Sequence, residues 1–401
     1  MPSTALSGLI SETGGVRRRR RQRWLAVHLW LGLTLGAVFV LLGLTGSVLC
    51  FYPEIDLWLN PGQRPSAPVA APALQPVLDA LRAERPDYAG AWRLEMPLAA
   101  GRPINARYYR PPETAQRGFA PYMATVDPAT AAVSSGRYWG DYAMTWIYDL
   151  HYTLLLGPAG RTAVGVAGIA ALVSLLSGLW LWWPAAGRRR EALRLTIRRG
   201  RVRALYDGHV LAGVYGGLVL AALCVSGALL ALPEYLNPLV AAFSAPTRPP
   251  APVSGAAAGR VPISVDAAIA AAGQRLPGAT LRWVETPADA AGSYRVNFWQ
   301  PGEPGYRFPR TNVWVDAYDG RVLAVRDWPA LSGGDVFLAW QHPLHNGEAF
   351  GLPGRILACL AGLLPALLWV TGLLRWRRKR QARQQTARRR QPSEAVEGGR
   401  A

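Results

Sequence analysis

The chain has 401 residues, half of them apolar, with 16 tryptophans and a formal net charge of +19. Their distribution excludes an ordinary soluble protein, because four nearly charge-free stretches are each long enough to cross the ~30 Å hydrocarbon core of a bilayer. These stretches are Trp24–Phe51, Thr162–Trp183, Leu205–Leu232 and Arg355–Trp376. We therefore predict an integral membrane protein with an all-α bundle of four transmembrane helices.

The basic residues flank these stretches. Of the 44 Lys and Arg residues, six lie in Arg17–Arg23, eight in Arg188–Arg203 and ten in Arg375–Arg400. This distribution matches the excess of basic residues in cytoplasmic segments of membrane proteins better than it matches a nucleic-acid-binding surface. It predicts a multi-pass membrane protein, bound to lipid and not to nucleic acid, with both termini in the cytoplasm.

The predicted organisation alternates spans with outside segments and basic cytoplasmic segments. In chain order it comprises a basic N-terminus (1–23), helix 1 (24–51), a periplasmic segment (52–146), an approach with helix 2 (147–183), a basic loop (184–204), helix 3 (205–232), a second periplasmic domain (233–340), an approach with helix 4 (341–376) and a basic tail (377–401).

The two halves of this organisation repeat one another. In the odd-numbered spans a histidine precedes a glycine by 18 residues, and in the even-numbered spans by 27 residues. The pairs are His28 with Gly46 and His209 with Gly227, then His151 with Gly178 and His345 with Gly372. Such self-similarity predicts a two-fold internal repeat.

Both outside segments have an α+β pattern, with apolar alternation typical of strands and a helical period before it. The second is the clearer, with a helix at Val265–Leu276 and strands at Ser293–Trp299, Thr311–Val315 and Val322–Val325. The first predicts a helix near Val77–Glu84 and strands near Ala106–Tyr109 and Tyr122–Val126.

Four of the five histidines fall at matching positions of the repeat. A single histidine near a membrane interface is usually a hydrogen-bonded structural residue, but four in register favour a metal. His28 and His209 share a depth near the inner face, and His151 and His345 share one near the outer face. Two imidazoles at one depth from different helices suit the two axial positions of a haem iron. We therefore predict two haems of b type, since no covalent attachment motif is present.

Other residues are weaker candidates for the same site. Gly32 and Gly213 lie about 40° around a helix from His28 and His209 and allow a flat ligand to approach, although close helix packing also explains them. Arg161 and Arg355 each follow a paired histidine by ten residues. They suit haem propionates or, equally, an interfacial position with a snorkelling side chain.

His342 lies one helical turn before His345, if the helix continues through Pro343. It is a candidate spare ligand or substrate-side group, although a surface histidine is the simpler interpretation.

The motifs resemble the PepSY-associated transmembrane family. The resemblance lies in His28 through Gly46, in Leu150-His151-Tyr152, in Gly178–Trp183 and in the duplicates at His209 and His345. Val315-Asp316 and the turn Asp319-Gly320-Arg321-Val322 resemble PepSY domains, whereas the first outside segment departs from that pattern. The resemblance covers roughly residues 20–380.

Members of that family include haem-containing ferric-siderophore reductases of the inner membrane. The resemblance implies an oxidoreductase that passes electrons from a quinol or a flavoprotein to a ferric siderophore or another ferric chelate in the periplasm, with no catalytic residues beyond the haems. Two alternatives stay open. One is a transporter for iron or a siderophore, and the other is a non-catalytic PepSY sensor or modulator anchored by the spans.

Overall fold

A computed structural model describes residues 3–184, 187, 193–194, 200–255 and 259–390. The chain divides into two compact units. One comprises Met1–Ser47, Val166–Val225 and Cys359–Ala401, and the other comprises Val48–Gly165 and Ser226–Ala358. Most of the basic loop predicted at 184–204, and the end of the basic tail from residue 391, lie outside the described residues.

The helices dominate the first unit and flank the sheet of the second. They are α1 (Ser3–Thr34), α2 (Gly36–Leu49), α3 (Tyr52–Leu59), α4 (Gln75–Glu84), α5 (Ala143–Thr153), α6 (Gly157–Trp182), α7 (Arg201–Tyr215), α8 (Gly217–Ala231), α9 (Pro233–Ala241), α10 (Val265–Arg275), α11 (Gly333–His345) and α12 (Gly351–Arg390).

Two of these helices are long and apolar enough to cross a membrane as single rods. They are α6 (Gly157–Trp182) and α12, whose candidate span, counted with the turn before the helix, is Glu348–Ala387. The first and third predicted spans are instead bent pairs of helices. Gly15–Thr34 and Gly36–Leu49 meet at 60°, and Arg203–Tyr215 and Gly217–Ala231 meet at 58°. The described residues thus contain two candidate spans, or up to four if each bent pair is one span.

Glycines next to bulky side chains mark both bends. A Cβ on Gly36 would overlap the indole of Trp369, and a Cβ on Gly216 would overlap Leu364. Thr34 also donates its hydroxyl hydrogen to the Trp30 carbonyl at 2.7 Å. Glycine and hydroxyl residues that bond back to the preceding turn are common causes of helix bending. The helix is therefore interrupted at Leu35 in the first of these spans and at Gly216 in the third.

Small residues allow close contact between α2 and α12 in the first unit. A Cβ on Gly43 would overlap the carbonyl oxygen of Gly362. Ser47 also donates its hydroxyl hydrogen to the Cys359 carbonyl at 2.7 Å. Contacts of this kind, through small residues and hydroxyl groups, are typical of helices that pack in a membrane.

The second unit contains one antiparallel sheet of eight strands in the order β4-β3-β2-β1-β5-β6-β7-β8. The strands are β1 (Trp92–Glu95), β2 (Ile104–Tyr108), β3 (Tyr122–Val126), β4 (Val133–Tyr138), β5 (Thr280–Glu285), β6 (Tyr294–Trp299), β7 (Thr311–Val315) and β8 (Val322–Arg326). Each outside segment supplies four consecutive strands. The two sets join where β1 pairs with β5, with Leu94 opposite Val284.

The helices α4 and α10 cover one face of this sheet. Their buried side chains, such as Leu81 and Ala268, form one apolar core with Trp92, Leu94 and Val296 from the strands. Each fully buried aliphatic side chain contributes about 1.5–3 kcal/mol through removal from water.

The N-termini of α4 and α10 also cap each other. Asp266 accepts hydrogen bonds from the backbone N–H groups of Leu74 and Gln75, at 2.8 and 3.0 Å. Gln75 in turn accepts one from the N–H of Val265 at 2.8 Å. The free N–H groups at both helix starts are thereby satisfied across the two outside segments.

Candidate functional site

The first two predicted ligands, His28 on α1 and His209 on α7, lie together. Their ring centroids are 6.2 Å apart and their planes are nearly perpendicular, at 87°. The residues are 181 positions apart in the chain, so their proximity is a property of the helix packing.

Neighbouring helices fix the orientation of both rings through Nδ1. For His28, Nδ1 lies 2.9 Å from the Ser174 carbonyl oxygen and 3.2 Å from Ser177 Oγ. For His209, it lies 3.1 Å from the Leu368 carbonyl oxygen and 3.0 Å from Thr371 Oγ1. A carbonyl oxygen only accepts, so Nδ1 carries the proton and Nε2 keeps its lone pair.

This arrangement resembles the environment of histidine ligands in metal sites. Such ligands bind the metal through one nitrogen and donate the other N–H to a carbonyl, a carboxylate or water. Within the described part of the chain, neither Nε2 atom has a hydrogen bond to a protein group. Both rings are therefore prepared to bind through Nε2.

Glycines lie directly against the same rings. A Cβ on Gly178 would be 2.9 Å from Cε1 of His28, and a Cβ on Gly372 would be 3.5 Å from Cε1 of His209. Each glycine follows a hydroxyl residue that contacts the Nδ1 atom of that ring. We call the dipeptides Ser177-Gly178 and Thr371-Gly372 hydroxyl–glycine seats.

The second predicted pair, His151 on α5 and His345 on α11, also lies together. The ring centroids are 6.1 Å apart and the planes are inclined by 48°. Ser226 Oγ lies 3.1 Å from Nδ1 of His345, and a Cβ on Gly227 would be 2.8 Å from Cε1 of the same ring. Ser226-Gly227 is thus a third hydroxyl–glycine seat.

The sequence carried a signal for these seats. Each hydroxyl–glycine dipeptide stands at a fixed distance from a histidine in both halves, and that spacing identified the repeat. Which histidine each dipeptide contacts depends on contacts between helices. His28 contacts Gly178, although the two are 150 residues apart.

The structure does not bring Gly32 and Gly213 to the histidine rings. A Cβ on Gly32 would have no atom within 4 Å, and one on Gly213 would make an ordinary contact with Leu368 at 3.8 Å. Both glycines precede the bends at Leu35 and Gly216, so each keeps its helical phase relative to His28 or His209. Their role in admitting a flat ligand stays a prediction.

The two predicted arginines have carboxylate partners within the chain. Arg355 forms a bidentate ion pair with Glu54, with hydrogen bonds of 3.0 and 2.7 Å. It also donates from Nε to the Cys50 carbonyl at 2.9 Å. Arg161 pairs with Glu234. Glu54 follows the first span and Glu234 follows the third, each directly after a proline. Each arginine therefore pairs with a glutamate of the other half of the repeat. The role of these arginines toward haem propionates stays a prediction.

His342 is half-buried, and α11 does continue through Pro343. Its ring packs edge-on against Phe308, with centroids 5.4 Å apart. The pKa of His342 is lowered to about 3, mainly by burial and further by the charges of Arg307, His345 and Arg310. It is therefore neutral at physiological pH and is not a plain surface histidine.

Both pairs have a geometry that fits axial ligation of a haem iron. An imidazole nitrogen lies about 2.0 Å from a bound metal and about 1.2 Å from its own ring centre, so two ligands on opposite sides place their centroids roughly 6.4 Å apart. The observed separations of 6.2 and 6.1 Å are close to this value. Two protein ligands for each iron suffice because the macrocycle supplies the other four.

Comparison with known proteins identifies related sequences. The family model of the PepSY-associated TM region matches residues 25–379. An uncharacterized protein of Pseudomonas aeruginosa is 30% identical over 259 residues, which are 59% of this chain and 64% of that relative. The chain thus spans less than two thirds of the length of this relative.

Proposed function

Since the chain belongs to the PepSY-associated transmembrane family, we propose that it is a haem-containing reductase of the bacterial inner membrane. It takes electrons from a quinol or a flavoprotein at the cytoplasmic side and delivers them to a ferric chelate, such as a ferric siderophore, in the periplasm. Reduction of the metal to Fe(II) weakens its binding by hard oxygen ligands and so releases it.

One observation carries this proposal. Two separate histidine pairs have centroid separations of 6.2 and 6.1 Å, and the Nδ1 atoms of His28 and His209 are engaged by carbonyl and hydroxyl oxygens. Purely structural histidines would satisfy both ring nitrogens locally and would have no reason to meet in pairs. At His28 and His209, Nε2 atoms without a hydrogen bond to any described protein group support axial binding of haem.

The residues of the chain would bind, orient and shield two haems of b type. Haem iron with two histidine ligands supplies reversible one-electron chemistry between Fe(III) and Fe(II). The carbonyl oxygens of Ser174 and Leu368 fix the tautomers of His28 and His209, and the glycines of the hydroxyl–glycine seats leave room for the rings. The ion pairs Arg355–Glu54 and Arg161–Glu234 link helices of the two halves near His151 and His345 in the sequence.

The proposal includes a specific membrane arrangement. Each bent helix pair is one span, so α1 with α2, α6, α7 with α8 and α12 form a four-helix bundle with a two-fold internal repeat. The basic segments at both termini lie in the cytoplasm. Under this arrangement, the pair His28–His209 lies near the electron donor and the pair His151–His345 near the periplasmic acceptor.

A spectrum of the purified full-length protein tests the proposal. We expect a Soret band that shifts on reduction, and two haems per chain by quantitation of the extracted haem. The protein in liposomes, with reductant enclosed and a ferric chelate outside, should then produce Fe(II) outside, detected with a chromogenic Fe(II) chelator. Liposomes without protein provide the control.

The outcomes separate the alternatives. Absence of a reducible Soret band, after expression with sufficient haem, would contradict the reductase. Uptake of a labelled chelate without any reductant would identify a transporter. A haem-free protein whose cellular function survives the replacement His209→Ala would be the anchored sensor or modulator.

A further inference from the structure

The second face of the sheet, opposite the apolar core, carries guanidinium groups. Side chains of a strand alternate between faces, so Trp92 and Leu94 enter the core while Arg93 and Glu95 lie on the second face. Five arginines collect here, together with fewer acidic side chains. We call this set the arginine face; it comprises Arg93, Arg107, Arg282, Arg295 and Arg307 together with Glu95 and Glu285.

The acidic groups of the arginine face neutralise only part of its charge. Arg93 and Arg107 both approach Glu95 Oε1, at 3.0 and 3.6 Å, and Arg295 pairs with Glu285 at 2.6 Å. Burial alone would raise the pKa of Glu95, but the charges of the surrounding arginines outweigh it and lower that pKa. Glu95 is thus ionised, and the five arginines outnumber Glu95, Glu285 and the neighbouring Glu348 by two charges.

Several donors of the arginine face have no acceptor. Arg93 Nη2, Arg107 Nε and Trp283 Nε1 are buried and make no hydrogen bond to any described residue. The side chain of Arg93 is only 9% exposed. Buried donors are rarely left without acceptors, and guanidinium groups bind carboxylates most strongly. The unused donors and the excess charge both point to an anionic ligand.

The loop between β6 and β7, residues 300–310, covers part of the arginine face. Arg282 donates from Nε to the Tyr306 carbonyl at 3.0 Å and lies over the Tyr306 ring. Arg93 lies near the ring of Phe308, at 5.6 Å. Both aromatic rings are partly exposed, by 37% and 39%. A ligand therefore reaches the guanidinium groups by displacing these two rings.

The same loop connects the arginine face to the pair His151–His345. Phe308 packs against His342, which is three residues before His345 on α11. Arg307 lies over the ring of Tyr52, and its backbone N–H donates to Glu348 just beyond α11. The cationic cluster and the proposed outer haem ligands therefore belong to one continuous set of contacts within the second unit.

We propose that the arginine face binds the ferric chelate, and that the preferred substrates are anionic complexes with carboxylate groups. This inference rests on the proposed reductase function and defines its substrate class. Guanidinium groups bind carboxylates with two parallel hydrogen bonds, whereas the net positive charge disfavours cationic chelates. Trp283, which lies between Arg93 and Arg295 at 4.1 and 4.7 Å, is a neighbouring reporter of occupancy.

Binding of gallium(III) citrate to the full-length protein in nanodiscs tests the proposal without any electron transfer, because gallium(III) is not reduced. We expect saturable binding, followed by calorimetry and tryptophan fluorescence, that weakens as salt is added. Arg93→Gln and Arg107→Gln should each weaken it about tenfold or more, and Arg107→Lys less. Arg275→Gln, an exposed arginine on α10, is the matched control and should bind as the wild type does.

The haem spectrum of each preparation separates this inference from the reductase proposal. An intact spectrum without gallium citrate binding, or with equal binding by Arg93→Gln and Arg107→Gln, would overturn the anion site alone. Arginine-dependent binding to a haem-free protein would support the anion site and overturn the reductase. If both substitutions abolish the haem spectrum in a folded protein, the guanidinium groups hold haem propionates and the chelate site is overturned. Tighter binding of a cationic gallium trihydroxamate than of gallium citrate would also overturn it.

Discussion

The two histidine pairs reach nearly the same ring separation in different surroundings. His28 and His209 lie within α1 and α7, the first helices of the two bent pairs, and each Nδ1 contacts both a carbonyl and a hydroxyl oxygen. His151 and His345 lie near the ends of the shorter helices α5 and α11, before tight connections to the next helix. The ring planes differ accordingly, at 87° in the first pair and 48° in the second.

The connections after the second pair use unusual backbone conformations. Leu154 and Leu155 have positive φ values of 51° and 59°, and Gly347 has one of 79°. Residues other than glycine rarely adopt this region, at a cost of about 1–3 kcal/mol each. The first pair thus depends on helix packing, whereas the second depends on turns that redirect the chain. A charged group lies near each pair, since Arg375 acts on both His28 and His209, while Arg307 acts on His342, one helical turn from His345.

The largest effect should follow from removing one histidine of either pair. His209→Ala and His345→Ala should each lower the haem content to about half, since a haem iron without one axial ligand is easily lost. Each variant should retain the spectrum of the other centre. Quantitation of haem per chain, with a low-temperature spectrum, provides the measurement.

His342→Ala is the matched control for these variants. It shares a helix with His345 but is not paired with His151 in the structure, so both haems should remain. A loss of both haems in His209→Ala would contradict the assignment of two separate centres, provided that the variant remains folded.

A smaller and graded effect should follow when methyl groups are added beneath the rings. Gly178→Ala and Gly227→Ala would place a Cβ 2.9 and 2.8 Å from a histidine carbon, which must move the ring at a cost of about 1–3 kcal/mol. Each variant should bind haem roughly five- to hundredfold more weakly, and only at the histidine pair that its glycine contacts. Gly372→Ala should have less effect, because its nearest histidine atom is at 3.5 Å.

Gly273→Ala on α10 completes this series as a control, since its Cβ would meet no described atom within 4 Å. Haem titration of the apoprotein measures all four variants. Equal affinities in Gly178→Ala and Gly273→Ala would show that the ring of His28 does not need its glycine seat.

The sequence predicted much of the sheet but not its continuity. The strands β3 and β7 agree with the predicted Tyr122–Val126 and Thr311–Val315 at both ends, because alternating apolar residues mark them. The strands β1 and β5 were missed because charged residues of the arginine face, such as Arg93 and Glu95, interrupt their apolar pattern. Their pairing joins residues about 190 positions apart, and no local pattern indicates such a contact.

The site was predictable in the same partial way. Repeat spacing and depth indicated which histidines meet, because both can be read from each predicted span separately. The partners of those histidines were missed, because Ser177, Ser226 and Thr371 act across helices. The bends after Gly32 and Gly213 were not predicted, because local hydropathy does not reveal a 60° change of direction.

The smallest effect concerns the ion pairs near the second histidine pair. Arg355 and Glu54 are 23% and 39% exposed and share two hydrogen bonds, whereas Arg161 and Glu234 are 29% and 57% exposed. A double-mutant cycle on Arg355→Gln and Glu54→Gln should give a coupling of about 1 kcal/mol after allowance for solvent screening. The matched cycle on Arg161→Gln and Glu234→Gln should give a smaller value.

The pH dependence of unfolding checks the sign of this contribution. Burial would raise the pKa of Glu54, but hydrogen bonds and the charges of Arg355 and Arg102 outweigh it and lower that pKa. A lowered pKa stabilises the folded state above the ordinary glutamate pKa, and the stabilisation is lost as the pH falls through the pKa of the folded protein. Wild type and Glu54→Gln should therefore differ most at neutral pH and converge in acid. A difference that grows in acid would show that Glu54 is not stabilised as a carboxylate.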